Sequence, residues 1–343
     1  MGMWALAGDV GGTKTLLALY ERDEHGVRRH ALKRYPSPRF GGPEEVLRDF
    51  LADAPAPVDA AALGVAGPVE DGVCDTTNLP WRVDAAALGA ALGIPRVTLV
   101  NDFEAIARGI PHVHPGELLV LQDAPVVATA PYAVLGAGTG LGEAIAIRCG
   151  GALRVLPSEG GHKDFAPHDE LGIELLGWLL SKHDHVSWER VLSGPGLVTL
   201  HAFLIAAGHG LPMVARPTHA PDDDPAAIIG THAVDGTDTT CVRAAELFAS
   251  LLGAEAGNLA LTALAYGGVF VTGGVATKLA PILRDGAFMR AFVAKGRMSH
   301  LLRDMRVAIV TDPEVGLLGA RDVALTQTEP GASPGAPSTP PTG

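Results

Sequence analysis

The sequence predicts an α/β protein of two lobes with a cleft between them, and three observations carry that prediction. Two glycine-threonine loops, Gly8-Asp9-Val10-Gly11-Gly12-Thr13 and Gly136-Ala137-Gly138-Thr139-Gly140, each lie between two apolar, strand-like runs. Behind each loop further strands follow, and then helices, so the second half repeats the order of the first. Between the loops, the pair Asn101-Asp102 closes another apolar strand. In open α/β sheets such strand ends are where ligands gather.

From the N-terminus, apolar runs predict strands near 3–9, 15–21 and 27–34. A helix over 43–52 begins at Pro43, carries Glu44 and Glu45 in its first turn, and turns Val46, Leu47, Phe50 and Leu51 to one face. A strand at 60–66 precedes a second helix, which Asp84 caps and which runs to Leu92 before Gly93. Strand 96–100 then delivers Asn101-Asp102 into a helix over 103–109. In the second half, strands near 132–136, 141–148 and 152–156 lead to helices and to a strand at 268–272 that ends in Gly273-Gly274. A long helix spans 240–266, where Gly253 and Gly257 permit close packing although each costs about 1 kcal/mol relative to alanine. The stretch from Glu314 to Gln327 reads as a helix returning to the first lobe. Three hairpin strands followed by alternating helices and strands resemble the ribonuclease H-like arrangement of the actin-like group.

These elements divide the chain into a small lobe of residues 1–110 plus 312–328 and a large lobe of 111–311. Residues 329–343, rich in Pro, Gly, Ser and Thr, cannot bury a core and read as a disordered tail. The prolines and three aspartates between Arg216 and Asp224 read as a solvated acidic loop. With 343 residues and 47% hydrophobic content, the chain is long enough for two cores. Its net charge of −12, with no basic block, argues against a nucleic-acid surface. Every apolar run is broken before it reaches membrane-spanning length, and the N-terminus lacks a signal-peptide pattern. Cys74, Cys149 and Cys241 have no paired spacing, which points to a reducing cytoplasm and to no thiolate metal site.

Neither glycine loop opens a helix, which disfavours the Walker A and dinucleotide patterns. A strand-turn-strand loop must hold phosphate with turn amides and hydroxyls instead. Its glycines are expected to supply positive φ angles and close backbone approach, while Thr13 and Thr139 add hydroxyl donors. Asp9, at the mouth of the first loop, suits Mg²⁺ held through water. Asn101 can hydrogen-bond a hydroxyl while Asp102 accepts a proton from an attacking one. The competing role for Asp102 is a cap on the helix from Phe103 onward.

Ser158-Glu159-Gly160-Gly161-His162 follows a strand, and its glycines argue for a loop rather than a helix. There Glu159 and His162 can serve as paired hydroxyl ligands suited to a polyol, or as an exposed acid and a packing histidine. Glu189 offers another carboxylate or a first-turn helix acid, and Asn78 a turn residue or a pocket wall. Gly273-Gly274 can lie under an adenine ring or simply permit a sharp strand-to-helix turn.

Six segments, GDVGGT, LVNDFEA, GAGTGLG, SEGGHKDFAP, ERVLSGPGL and GGVFVTGG, occur in one order, and together they resemble the bacterial glucokinase family of the actin-like ATPase superfamily. The similarity runs from about residue 4 to 325. It implies ATP-dependent phosphorylation of glucose at its 6-hydroxyl by a cytoplasmic homodimer. By matching motif, Asp102 is similar to the catalytic base, and Asn101, Glu159, His162 and Glu189 to the sugar-binding residues, with Asn78 a further substrate-binding candidate outside those motifs. Gly8, Asp9, Val10, Gly11, Gly12, Thr13 and Lys14 resemble a nucleotide loop, as do Gly136, Gly138, Thr139, Gly140, Gly273 and Gly274. Lys14 stands where the family often carries Asn, a change similar to ROK sugar kinases that would add a point charge. Ser158 replaces a common Gly, and the ROK zinc cysteines do not follow His162, which leaves no zinc site there.

Other readings keep the fold. Another hexose or a polyphosphate donor would preserve the chemistry. A non-catalytic sugar-sensing regulator would be expected to carry an N-terminal DNA-binding extension, whereas the first strand here begins near Met3.

Overall fold

Three antiparallel strands open the chain in the computed structural model, which describes residues 2–77, 79–212 and 224–326. Asn78, the tail beyond residue 326 and all but Asp224 of the acidic segment lie outside the described residues. Two compact units emerge, one from residues up to Gly109 together with those from Gly316 on, the other from Ile110 to Val315.

In the first unit, β1 (Met3–Val10), β2 (Thr15–Asp23) and β3 (Gly26–Tyr35) form the hairpins. Strand β1 is buried along Ala5-Leu6-Ala7 because nothing polar interrupts it. Strand β3 is the sheet edge and is exposed apart from Tyr35. Its Arg28, Arg29, Lys33 and Arg34 discourage a further strand from adding there. Helix α1 (Pro43–Leu51) buries Val46, Leu47 and Phe50, the face its sequence marks as apolar. Next come β4 (Ala60–Val65), the unpredicted hairpin of β5 (Val73–Asp75) and β6 (Arg82–Asp84), and α2 (Ala85–Leu92). Asp84 accepts from the Ala87 N–H at 3.0 Å and Gly93 closes α2 at φ 68°, as the cap signals require. Strand β7 (Val97–Asn101) then runs directly into α3 (Asp102–Gly109).

The second unit holds β8 (Leu118–Gln122), β9 (Tyr132–Ala137), β10 (Leu141–Cys149) and β11 (Ala152–Ser158), followed by α4 (Glu170–Leu180), α5 (Gly194–Ala206), α6 (Pro225–Val234) and α7 (Thr239–Ala263). Strand β12 (Val269–Thr272) leads into the short helices α8 (Gly274–Lys278), α9 (Ala280–Arg284), α10 (Ala287–Val293) and α11 (Ser299–Arg303), and then into β13 (Val307–Val310). The sheet order is β11-β10-β9-β12-β13-β8. Strands β8 and β13 escaped the sequence reading because each is short. Their pairing is antiparallel and joins segments far apart in the chain.

Gly253 and Gly257 let α10 settle against α7. A Cβ at Gly253 would collide with the Phe288 carbonyl, and one at Gly257 would lie 2.6 Å from the Phe292 carbonyl oxygen. Helix α7 stops at Ala263, short of the expected 266, because Leu264 turns to φ 48°. The Ala265 N–H then bonds the Ala260 carbonyl at 3.1 Å in a Schellman closure.

Finally α12 (Val315–Thr326) lies on the first sheet. It buries Leu317 and Ala320 against Ala7, Leu16, Ala18 and Tyr20, and Val323, Ala324 and Leu325 against Ala5, Ala62 and Val100. Burying a leucine such as Leu317 contributes about 1.5–3 kcal/mol. A side chain at Gly319 would strike the Ala105 carbonyl, so glycine is what lets α12 cross α3. Among the described residues, no helix is long and apolar enough to cross a membrane.

Candidate active site

In the first unit, strand register brings the two carboxylates of interest to one sheet edge. Strands β1, β4 and β7 are parallel neighbours, with Asp9 beside Gly64, Gly64 beside Val100 and Val65 beside Asn101. Asp9 and Val100 therefore stand level two strands apart, about 10 Å by strand spacing, and Asp102 follows two residues beyond Val100 at the same carboxyl end. Gly64 between them is needed for space. A Cβ there would lie 3.0 Å from the Ala105 Cβ and 3.9 Å from the Asp102 Cα.

The cap on α3 belongs chiefly to Asn101. Its Oδ1 accepts from the Phe103 N–H at 2.9 Å and the Glu104 N–H at 3.3 Å, and its Nδ2 donates to the Gly67 carbonyl at 3.2 Å. One amide N–H of Asn101 remains for a ligand. Asp102 Oδ1 also accepts from the Phe103 N–H, at 2.9 Å. Asp102 is thus held at the helix N-terminus without being its principal cap.

The first glycine loop closes on itself, with the Gly11 N–H bonded to the Lys14 carbonyl at 3.0 Å. Ser37, fully buried, clips it: Oγ donates to the Gly11 carbonyl at 2.8 Å and lies 2.9 Å from Thr15 Oγ1, while its N–H donates to the Thr13 carbonyl at 3.2 Å. Burial raises the Asp9 carboxyl pKa above its ordinary value, and the Lys14 ammonium opposes that rise. Sequence reasoning missed Ser37, whose role depends on a contact 26 residues away from Gly11.

The glycines do not work as expected. None of Gly8, Gly11, Gly12, Gly136, Gly138 or Gly140 has a positive φ, whereas Gly273 does, at 94°. Space is the requirement at several of them. A Cβ at Gly8 would press on Leu63 and Leu17, one at Gly140 on the Glu189 carboxylate, and one at Gly273 on the Ala137 carbonyl. Gly273-Gly274, where β12 turns into α8, consequently packs on the start of the second loop.

That second loop is braced from outside. Glu189 Oε2 accepts from the Leu141 N–H at 3.0 Å, and the Gly138 carbonyl accepts from the Gly194 N–H at 2.8 Å. Glu189 sits in a single 3₁₀ turn, Trp188–Arg190. Its position is fixed because the chain over 163–165 pairs with 186–188, through Trp188 N–H to Lys163 carbonyl at 3.0 Å and Phe165 N–H to Val186 carbonyl at 2.9 Å.

Contrary to the expected loop, Gly160–His162 forms one turn of 3₁₀ helix. That turn places His162 Nε2 4.0 Å from Glu159 Oε2, with both side chains exposed. Gly160 and Gly161 lie so close to Glu143 and to the Leu141 carbonyl that no side chain fits at either. A cavity of about 680 Å³ joins Thr139, His162, Ser187, Glu189, Arg190 and Ser193. Glu159 does not line it. Ser187, Arg190 and Ser193 were not anticipated as site residues, although Arg190 and Ser193 fall within the ERVLSGPGL segment.

The second unit thus gathers Thr139, His162 and Glu189 around one polar cavity, while the first brings two carboxylates to one end of its sheet. Comparison with known proteins bears on this division. A family model described as Glucokinase matches residues 6–327. A glucokinase from a Nostoc species is 40% identical over 331 residues, covering 92% of this chain and 97% of that protein. The crystal structure of a glucokinase from an Antarctic psychrotroph is similar with a TM-score of 0.82 at 31% identity, covering 94% of this chain and 99% of the other. A ROK family glucokinase from Streptomyces griseus, solved in complex with glucose and AMPPNP, shares the fold at a TM-score of 0.63 and 24% identity, over 94% and 99% of the two chains.

Proposed function

From its membership of the glucokinase family, to which this chain belongs, we propose how its residues divide the transfer of phosphate from ATP to glucose. Asp102 is the general base. The reading rests above all on the edge formed by β1, β4 and β7, where Asn101 takes most of the capping duty and Asp102 stands beside it.

Asp102 receives the proton of the glucose 6-hydroxyl as that oxygen forms its bond to the γ-phosphorus. The bond from phosphorus to the bridging oxygen breaks, and ADP leaves with the electron pair. A carboxylate of reference pKa about 3.9 is too weak to ionise an alcohol beforehand. In a loose transition state the nucleophile is engaged late, so orientation and late proton acceptance suffice. Such a group contributes about 10²–10⁴ in rate.

Glu159, His162, Asn101 and Glu189 bind the sugar hydroxyls, with Asn78 as a further wall. The remaining Asn101 N–H donates, the Glu159 carboxylate accepts, and His162 does either. The two glycine loops and Gly273-Gly274 hold the nucleotide through turn amides and the hydroxyls of Thr13 and Thr139. Asp9 fits Mg²⁺: a single half-buried carboxylate at a loop mouth, whose pKa burial raises and the Lys14 charge opposes, is the sparse donor set this ion accepts with water. When bound, the ion neutralises charge on the phosphates. The working unit is a cytoplasmic homodimer, in keeping with three cysteines that form no disulfide.

An assay of sugar-phosphate formation across hexoses and phosphate donors tests this reading. Glucose with Mg-ATP should give the highest kcat/KM. Faster turnover of another hexose, or of polyphosphate, would displace it.

A further inference from the structure

Beside the turn that carries Glu159 and His162, a half-exposed lysine bridges two buried carboxylates in a charge network that the reaction itself does not use. Lys163 Nζ donates to Glu143 Oε2 at 2.9 Å and to Glu255 Oε1 at 2.5 Å. Both carboxylates are 1% exposed. Glu143 comes from β10 and Glu255 from the middle of α7. The network continues, since Glu255 Oε2 accepts from Asn258 Nδ2 at 2.9 Å and Asn258 Oδ1 accepts from Lys295 Nζ at 2.6 Å. Lys295 Nζ also donates to the Ala254 carbonyl at 2.8 Å.

We propose that Lys163 is a positioning residue for glucose: its ammonium, bridging Glu143 and Glu255, holds the Gly160–His162 turn so that Glu159 and His162 meet the sugar. The inference rests on the assignment of those two side chains to the sugar.

Three features single out the turn as what gives way when the bridge is lost. Glu143 lies within a strand hydrogen-bonded on both sides, and Glu255 lies within a 25-residue helix, so neither moves cheaply. The turn is one 3₁₀ coil containing two glycines, the residues with most conformational freedom to regain. The hydrogen bonds of the turn's own residues are local, among them the Gly160 N–H to Ser158 Oγ at 2.9 Å and the Lys163 N–H to the Gly160 carbonyl at 3.1 Å, and the nearest remote tie, the Trp188 N–H to the Lys163 carbonyl at 3.0 Å, lies after the turn.

The electrostatics agree. Burial draws the Lys163 ammonium pKa down, but bonds from Glu255 and Glu143 more than reverse this and leave it raised. Burial, reinforced by the Glu255 charge and opposed by Lys163, pushes the Glu143 carboxyl up to about 7. Glu143 Oε1 has no hydrogen-bond partner among the described residues. Without Lys163 the two carboxylates would face each other across the base of the turn, which touches Glu143 through Gly160.

Steady-state kinetics of the full-length enzyme test the role, using Lys163→Met, Lys163→Arg and Glu159→Gln. Lys163→Met should raise the glucose KM about tenfold or more, with the ATP KM and kcat changed by less than about threefold, and Lys163→Arg should restore much of the loss. Should Lys163→Met fail to fold, Lys163→Met combined with Glu143→Gln removes the stranded charge and should show the same selective rise. An unchanged glucose KM in the Lys163 variants, or an equal rise for both substrates, overturns the proposal. If Glu159→Gln raises the glucose KM in that case, the sugar assignment survives alone. If Glu159→Gln is also silent, both fall.

Discussion

The two glycine loops look alike in sequence and each closes on its own backbone, the second through the Gly138 N–H to the Gly140 carbonyl at 2.8 Å, but their outside supports differ. The first is closed by its own backbone and by Ser37, all within the sheet that also presents Asp102. The second is propped by Glu189 and Gly194, residues of the segment that pairs with the chain just after His162. Identical turn chemistry therefore serves two designs. One loop is clipped by Ser37, and the other is propped by a segment that pairs with the chain just after His162.

The largest effect expected from this contrast lies in the first unit. Asp102→Asn should cut kcat by about 10²–10⁴ while calorimetry finds glucose and nucleotide affinity within a few-fold of the parent. Loss of binding instead of turnover would break the division of labour. In the second unit, Glu189→Ala strands the Leu141 N–H, a cost of about 1–3 kcal/mol, and should raise the KM of both substrates by roughly tenfold. A rise confined to one substrate would show that the brace does not couple them. Ser37→Ala removes the clip on Gly11 and should raise the ATP KM by about three- to tenfold, leaving the glucose KM unaltered.

The smallest effect concerns stability and pH. Because the folded-state pKa of Glu143 is raised from 4.5 to about 7, its favourable contribution is present below pH 4.5 and is lost as pH rises through 7. The full swing is at most roughly 3 kcal/mol. The melting temperature of the parent minus that of Glu143→Gln should accordingly fall between pH 5 and pH 8. A difference that stays constant or grows would place the titrating proton elsewhere.

Much of the fold was legible because local signals agreed with the global pattern. Asp84 and Gly93 bound α2, Pro43 opens α1, and unbroken apolar runs mark β1, β4 and β9. Short strands such as β8 and β13 carry too few residues for periodicity to show, and their pairing is remote in sequence. Among the candidate residues, those on one turn could be grouped, as with Glu159 and His162. What sequence could not reach was anything set by distant contact. The brace from Glu189 to Leu141 spans 48 residues and the bridge from Lys163 to Glu255 spans 92. Competition between neighbours was equally invisible. Asn101 and Asp102 are both good capping residues, and only the hydrogen bonds distinguish them. The positive-φ expectation failed at the two loops, where Gly8 and Gly140 are required by crowding rather than by turn type.

The most direct test of the central claim is a crystal structure with glucose and a non-hydrolysable ATP analogue bound together. A carboxylate oxygen of Asp102 should lie about 2.6–3.2 Å from the glucose 6-oxygen, with that oxygen facing the terminal phosphorus. A 6-oxygen beyond hydrogen-bond reach of Asp102, or bonded to a different base, would contradict it.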